Sequence, residues 1–396
     1  MTEKKKLLFV INSLGGGGAE RNLTYLANYL NDSYEVHIVI FENEIVYEIH
    51  NGIQIHNLNI SNKMSGFLKI LCIPVISVKI YRIIRQHNIG NIVSFLNRAN
   101  FSTGLLKWCM PSIHLILSER ISPLSYYAKG IEGLIGRMLI KRLYKFADLI
   151  LPNSKATLHE LEYYFNLKNR KEVIYNILDI DKIESTIVEQ KNTGNQSAKT
   201  FRMVSIGRLT YQKNFQLLIE VCAMLSHLNI ELHILGEGPD RTELENMIKE
   251  KKLEKRVFLH GFVAKPHVFL ANSDCFVFPS RFEGFPNVVL ESLACGTPVI
   301  STDCKSGPRE ILAPDTDYNT LITDHVEFAK YGILVPEGNP DFLADSILTC
   351  YNDRARLLKY KYRSHERAMD FSKEKQLAHF AGVIEKTVFP FSQRCS

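Results

Sequence analysis

Short apolar runs that stop at glycine or proline recur along nearly the whole chain, with helical periods between them. KLLFVI runs into NSLGGGG, MVSIG into RLTYQKN, and LHILGEG into PDRTELENMI. Runs that are apolar at every position suit strands covered on both faces, and parallel strands need crossover helices. The chain is therefore expected to be α/β, with doubly wound sheets. In the first half, strands are expected at Lys6–Ile11, Val36–Phe41, Ile92–Phe95, Leu115–Ser118 and Leu149–Pro152. Helices fit at Ala19–Leu30, Leu68–Gln86 and Ile131–Phe146. A second series of strands falls at 201–207, 231–236, 257–262, 274–279 and 298–302.

A chain of 396 residues is too long for one ordinary domain and suits two. The polar stretch EQKNTGNQSAK from Glu189 has linker composition, so the expected domains are 1–188 and 189–370. Two Rossmann-like units joined this way would face a cleft, with ligands at the C-terminal ends of the strands.

The net charge is +6, but its distribution is uneven. Residues 51–150 hold 13 Lys/Arg and 3 Asp/Glu, a balance of +10, and the rest of the chain carries −4. A basic half can face nucleic acid, anionic lipid or a phosphorylated substrate. No nucleic-acid module signature accompanies it, so nucleic acid is not expected as a partner. The cysteines form no C-x-x-C pair, and the histidines form no cluster with metal spacing, so no metal is expected. Scattered cysteines read as buried free thiols in a reducing compartment. LLFVI is too short for a signal sequence, and the apolar stretch from Gly66 is broken by Lys69, Lys79, Arg82 and Arg85.

Four motifs carry the chemistry. The first is Gly15–Gly18, between a strand and the helix that begins near Ala19. Gly16 and Gly17 would let the backbone approach a ligand, and free helix-start N–H groups favour anions. It is neither a dinucleotide fingerprint, since Glu20 stands at the third glycine position, nor a Walker loop. A plain tight turn is the alternative. The second is SIGRLTYQKN, where Gly207 ends a strand and Arg208 and Lys213 follow. Two cations at a strand end could neutralise a diphosphate. The third is Gly236-Glu237-Gly238-Pro239, which alone says only turn. The fourth is SRFEGFPNVVLESLACGTPVIST, with Glu283 before a helix and Glu291 within it. Pro286 suits a first helical position, so the N–H groups around Phe285–Val288 would be free to meet an anion. An ionised Glu291 could accept hydrogen bonds from a ribose diol.

In this order the motifs resemble the donor-binding half of the GT-B glycosyltransferases, in the large retaining family with an E-x7-E motif (family 4). GGGGAER, ADLILPNS and YNILDID extend the resemblance over nearly the whole chain. It implies that Arg208, Lys213 and Glu283 form the catalytic group: the two cations on the donor diphosphate, and Glu283 at the reacting sugar. Gly207, Glu237, Phe285, Pro286, Asn287, Val288, Glu291, Gly16 and Gly17 would bind the donor. The helix within Phe371–Val388 would cross back, so that 371–396 joins the first domain. The donor would be a UDP-sugar and no metal or other cofactor would be needed. One departure stands at HLILSER: relatives carry a His where this chain has Arg120. Arg120 is expected to meet an acceptor phosphate instead. A second is an insertion from Leu312.

The basic half would then serve the acceptor. Arg21, Arg98 and Arg120 each follow an expected strand. Leu68–Arg85 and Ile131–Lys145 mix long apolar residues with Lys and Arg, as helices resting on anionic lipid do. An ordinary amphipathic core helix is the alternative. The resemblance leans toward bacterial N-acetylhexosaminyltransferases acting on lipid-linked oligosaccharides, hence a peripheral enzyme on the cytoplasmic face of the membrane. A UDP-sugar epimerase of the same fold, or a non-catalytic sugar-nucleotide scaffold, are the rival readings.

Overall fold

The computed structural model describes residues 4–61, 64, 66–189 and 200–388. Two compact units emerge: one from the N-terminus to Ile177 plus the segment from Glu374, the other Leu178–Lys373.

In the first unit, the described residues form β1 (Lys5–Ile11), β2 (Tyr34–Ile40), β3 (Gln54–Asn57), β4 (Asn91–Phe95), β5 (His114–Glu119), β6 (Leu149–Pro152) and β7 (Arg170–Lys171). They pair in the order β3-β2-β1-β4-β5-β6-β7, parallel at each step. The apolar runs are continuous because both faces are covered. Leu8, Val10, Ile92, Leu115 and Leu117 pack with Ile76, Ile80 and Ile140 on one face. Leu7, Phe9, Ile11, Val93 and Ile116 pack with Leu23 and Leu26 on the other. Alternate residues of one strand thus feed opposite cores, as the two-residue repeat requires. The Lys373–Val388 helix joins that second core through Leu377, Phe380, Val383 and Ile384, with the Phe380 ring 6.0 Å from Phe95.

In the second unit, the described strands are β8 (Phe201–Ile206), β9 (Ile230–Leu235), β10 (Val257–Leu259), β11 (Cys275–Phe278), β12 (Val299–Thr302), β13 (Glu327–Phe328) and β14 (Ile333–Val335). Their order is β10-β9-β8-β11-β12-β14-β13, parallel except for β13. Both sheets are doubly wound, as expected.

Three details differ from the sequence expectation. The second unit starts at Leu178 rather than at 189, because the Ile180–Glu189 helix packs within that unit. Of the expected linker from Glu189, residues 190–199 lie outside the described residues, and Glu189 itself ends the Ile180–Glu189 helix. The helix expected at Leu68–Gln86 is two, Gly66–Leu71 and Ile73–His87, since Pro74 lacks the N–H and crowds the preceding turn. The Asn97–Cys109 helix went unforeseen. It is buried nearly all round, including Asn100, Ser102 and Thr103, so it shows no amphipathic stripe. The insertion from Leu312 supplies the edge strand β13. Arg309 binds it in, with Nη2 2.6 Å from Asp303 Oδ2 and 2.8 Å from Glu327 Oε2.

Each sheet also carries a histidine pair across neighbouring strands. His37 Nδ1 lies 3.0 Å from His56 Nε2 in the first unit, and His233 Nδ1 2.9 Å from His260 Nε2 in the second. Burial and then the neighbouring His37 and His87 hold the His56 imidazole down at about 4, and burial lowers His37 as well. An unfolded histidine titrates near 6.5. Between about 4 and 6.5 the unfolded chain therefore binds more protons, and stability falls as pH drops through that window. His56→Gln is expected to flatten this slope. Urea midpoints measured from pH 7.5 down to 5 check it, and an unchanged slope would refute it.

No helix among the described residues is long and apolar enough to cross a membrane.

Candidate active site

The C-terminal strand ends of the second unit bring together the residues expected to meet the donor. β8 ends at Ile206, and Gly207 lies against the stem of Lys213: a Cβ there would sit 3.2 Å from Lys213 Cδ and Cε. That stem carries Lys213 Nζ to Glu283 Oε1 at 2.6 Å and places it 4.8 Å from the centre of the Phe278 ring. Two hydrogen bonds hold the loops. Gln212 Nε2 donates to the Phe282 carbonyl at 2.8 Å, and Arg281 N donates to the Gln212 carbonyl at 2.9 Å. Glu283 is buried, and Lys213 is its ion-pair partner among the described residues. Arg208, by contrast, is exposed, and its guanidinium makes no ion pair or hydrogen bond among the described residues.

The Gly236-Glu237-Gly238 turn after β9 locks the same loop. Leu209 N donates to the Glu237 carbonyl at 2.9 Å, and Gly236 approaches so closely that a Cβ would lie 1.9 Å from the Gly207 oxygen. This turn needs glycine for contact, not only for conformation. The Glu237 carboxylate pairs with Arg241 at 2.6 Å on the exposed side.

After β11 the chain passes Glu283 and enters the Asn287–Ala294 helix, with Pro286 as its N-cap. Proline offers no capping side chain, so the first N–H groups stay open toward anions. Phe285 is buried, its ring 5.5 Å from that of Phe371. Asn287 Oδ1 and Ser280 Oγ are buried without a hydrogen-bond partner among the described residues. Val288 is half-buried in the first turn. Glu291 lies one turn in, its Oε2 3.7 Å from His267 Nε2. Sequence reasoning passed over Arg281, whose guanidinium lies 4.5 Å from the Tyr211 ring centre and donates to Asn214 Oδ1 at 2.8 Å. Its place inside SRFEGF, two residues before Glu283, was the available signal.

Gly16 and Gly17 belong to the first unit. Gly16 has φ +107 with open space beside it, whereas a Cβ on Gly17 would strike the Glu20 carboxylate. Burial raises the Glu20 carboxyl above its usual range. The loop thus carries an acid over the start of the Gly18–Leu30 helix, where an anion was expected. Arg21 lies half-buried in that helix's first turn.

Arg98 does not simply follow a strand. It is the second residue of the Asn97–Cys109 helix, buried, with its guanidinium 5.4 Å from the Phe41 ring. It lines a cavity of about 250 Å³ shared with Lys69, Tyr126, Tyr127 and Glu132. Arg120 needs a correction. It is buried, donates to Ser118 Oγ at 2.7 Å and to the Ile174 carbonyl at 2.9 Å, and its guanidinium lies 5.3 Å from the Phe95 ring centre and 5.6 Å from that of Phe380. Burial lowers its pKa to about 9. These contacts make it a bolt for the C-terminal helix, not a phosphate ligand on the surface.

The helices around the cavity keep large apolar residues in solvent. Phe67, Leu71, Val75, Val78, Ile131, Leu134 and Met138 are exposed, with Arg82, Arg85, Lys129, Lys141 and Arg142 on the same helices or next to them. The Ile73–His87 helix also buries Ile73, Ile76, Ile80 and Ile84, so it has an apolar inner face as well. Among the described residues no group of His, Cys, Asp and Glu is arranged to hold a metal ion.

Comparison with known proteins agrees with this architecture. The family model described as Glycosyl transferases group 1 matches residues 187–367, and that of Glycosyltransferase Family 4 matches 16–182. The chain is 36% identical over 374 residues to the N-acetylgalactosamine-N,N'-diacetylbacillosaminyl-diphospho-undecaprenol 4-alpha-N-acetylgalactosaminyltransferase of Campylobacter jejuni, covering 94% of this chain and 97% of that one. It is 32% identical over 337 residues to an uncharacterised glycosyltransferase of Methanocaldococcus jannaschii, covering 78% of this chain and 82% of that one. Among solved structures, sucrose-phosphate synthase from Thermosynechococcus elongatus superposes with TM-score 0.79 at 16% identity, over 97% of this chain and 99% of that one. Anabaena HepE in complex with UDP does so with TM-score 0.73 at 22% identity, over 96% and 100%. The chain is a glycosyltransferase and belongs to family 4, with the GT-B fold.

Proposed function

We propose that the chain transfers an N-acetylhexosamine from a UDP-sugar to a polyprenyl-diphosphate-linked saccharide with retention of configuration. The observation that carries this is the second unit's arrangement of Lys213, Glu283 and the open start of the Asn287–Ala294 helix, with an exposed Arg208, unpaired among the described residues, on the loop that leads to Lys213. The departing UDP gains negative charge, and donors already aimed at that charge stabilise the transition state. Glu291 would take the ribose hydroxyls. Asn287 Oδ1 and Ser280 Oγ, without hydrogen-bond partners among the described residues, suit sugar hydroxyls. The HepE complex holds UDP in the same fold, and the name of the Campylobacter relative gives a GalNAc transfer with an α linkage. An α product from an α-linked sugar nucleotide is retention. Attack by the acceptor hydroxyl on the face the UDP leaves, with the phosphate taking its proton, needs no protein nucleophile.

The exposed apolar residues of the first unit and the arginines and lysines near them suit an anionic membrane surface, where such an acceptor resides. These features support a reading in which the enzyme works peripherally on the cytoplasmic face, in surface-polysaccharide or glycan assembly. With two cations and a helix start serving the diphosphate, no metal is required. UDP release is therefore expected to persist in EDTA, and a panel of UDP-sugars with and without lipid-linked saccharide tests the whole reading. Turnover that ignores the acceptor would instead favour epimerisation. Absence of turnover with every pair would leave a binding scaffold.

A further inference from the structure

The cavity of about 250 Å³ in the first unit has a wall organised from behind. Glu119, at the end of β5, is fully buried. Its carboxylate accepts from Tyr144 Oη at 2.6 Å, from Arg120 N at 3.1 Å and from Ile121 N at 3.3 Å. The Asn97 amide faces the same carboxylate, 3.0 Å from each oxygen. An ionised carboxylate only accepts, so Asn97 must turn Nδ2 toward it. The amide oxygen then takes the Tyr127 hydroxyl proton at 2.9 Å. Tyr127 lines the cavity, and with its proton committed to Asn97 its oxygen keeps only acceptor capacity. Leu96, also on the wall, is held at φ +73, a conformation costly for a residue with a side chain.

The lining fixes the ligand's chemistry. Arg98 and Lys69 bring positive charge and Glu132 negative charge to one small space. A diphosphate would meet the carboxylate, and a lipid tail would strand all three charges. A neutral ring with several hydroxyls answers each of them: hydroxyls donate to Glu132 and Tyr127 and accept from Arg98 and Lys69. The aromatic rings of Tyr126 and Phe101 offer surfaces to the ring's C–H face. The volume lies below the range of about 300–1,000 Å³ that holds a drug-sized ligand, so it suits one ring. We propose that this cavity binds one pyranose of the acceptor saccharide, with Tyr127 as its hydroxyl acceptor and Glu119, acting through Asn97, as the positioning residue. This rests on the acceptor being a saccharide, as proposed above.

Glu119 titrates at about 7, raised by burial. The groups facing it are Tyr144, Asn97 with Tyr127 behind it, Arg120 next in the chain, and Glu160, whose charge pushes the same way as burial. Protonated, it can donate, and the Asn97 amide loses its reason to hold one orientation. Saccharide affinity is therefore expected to fall as pH drops through 7.

The test uses the full chain and p-nitrophenyl glycosides of N-acetylhexosamines, followed by saturation-transfer NMR, with UDP titrated in parallel. Tyr127→Phe removes one oxygen and is expected to weaken glycoside binding about tenfold while leaving UDP affinity unchanged. Glu119→Gln is expected to abolish the pH dependence. If that variant does not fold, Tyr127→Phe still decides. Glycoside binding absent in the wild type, or equal in wild type and Tyr127→Phe, overturns the cavity assignment. A chain that binds glycoside but neither binds nor turns over any UDP-sugar keeps the cavity and sinks the donor reading instead.

Discussion

Lys213→Ala is expected to lower turnover by about 10²–10³-fold, the usual cost of removing one preorganised donor from a developing anion. It should also lower the melting temperature, because Glu283 is left buried with its ion-pair partner gone. Arg208→Ala should behave differently. Arg208 is exposed, and its guanidinium makes no ion pair or hydrogen bond among the described residues, so stability should not change. UDP affinity should fall about 10–100-fold, the range of one or two charge-assisted hydrogen bonds. UDP-release kinetics, UDP titration calorimetry and thermal melts on both variants separate the two effects. Unchanged turnover and UDP affinity in both would remove the electrostatic account of the site.

Gly236→Ala should disrupt the site without touching a charged group. The residue has φ +149, and the new methyl would fall 1.9 Å from the Gly207 carbonyl oxygen. Neither side can yield easily. Gly236 N donates to the Gly261 carbonyl at 2.8 Å, and Gly207 N donates to the Leu235 carbonyl at 3.0 Å. Backbone strain plus overpacking should cost on the order of 2–4 kcal/mol. The displaced loop carries Arg208, so UDP affinity should fall as well. Gly338→Ala is the control, since Gly338 has φ +71 but open space beside it. If the two variants melt alike and bind UDP alike, contact with Gly207 is not what that glycine is for.

The sequence makes the parallel sheets legible because strands covered on both faces leave unbroken apolar runs, as in KLLFVI and LHILG. It makes the second unit's site legible because each strand ends in a short turn whose residues are placed by backbone geometry. Gly207, Lys213 and Glu283 lie where such turns must put them. What stays hidden depends on side-chain direction. Arg120 follows a strand, as a surface ligand would, yet its guanidinium turns inward against two rings. One of them, Phe380, is 260 residues further along the chain, and no local pattern reports that packing. Glu119 lies one residue earlier and is concealed for the same reason. An acid at the end of HLILSER looks like the start of a loop until Tyr144 and Asn97 are seen to close over it.

The C-terminal helix has a consequence during translation. The first unit is discontinuous, and its Phe95 and Arg120 need Phe380 to complete their surroundings. The second unit is a single continuous segment. On the ribosome the later segment therefore has all its residues in hand first, while the half synthesised earlier waits, with part of one apolar face uncovered, for the last helix to emerge. A premature stop just before that helix would spare the second unit and leave the first with that face uncovered.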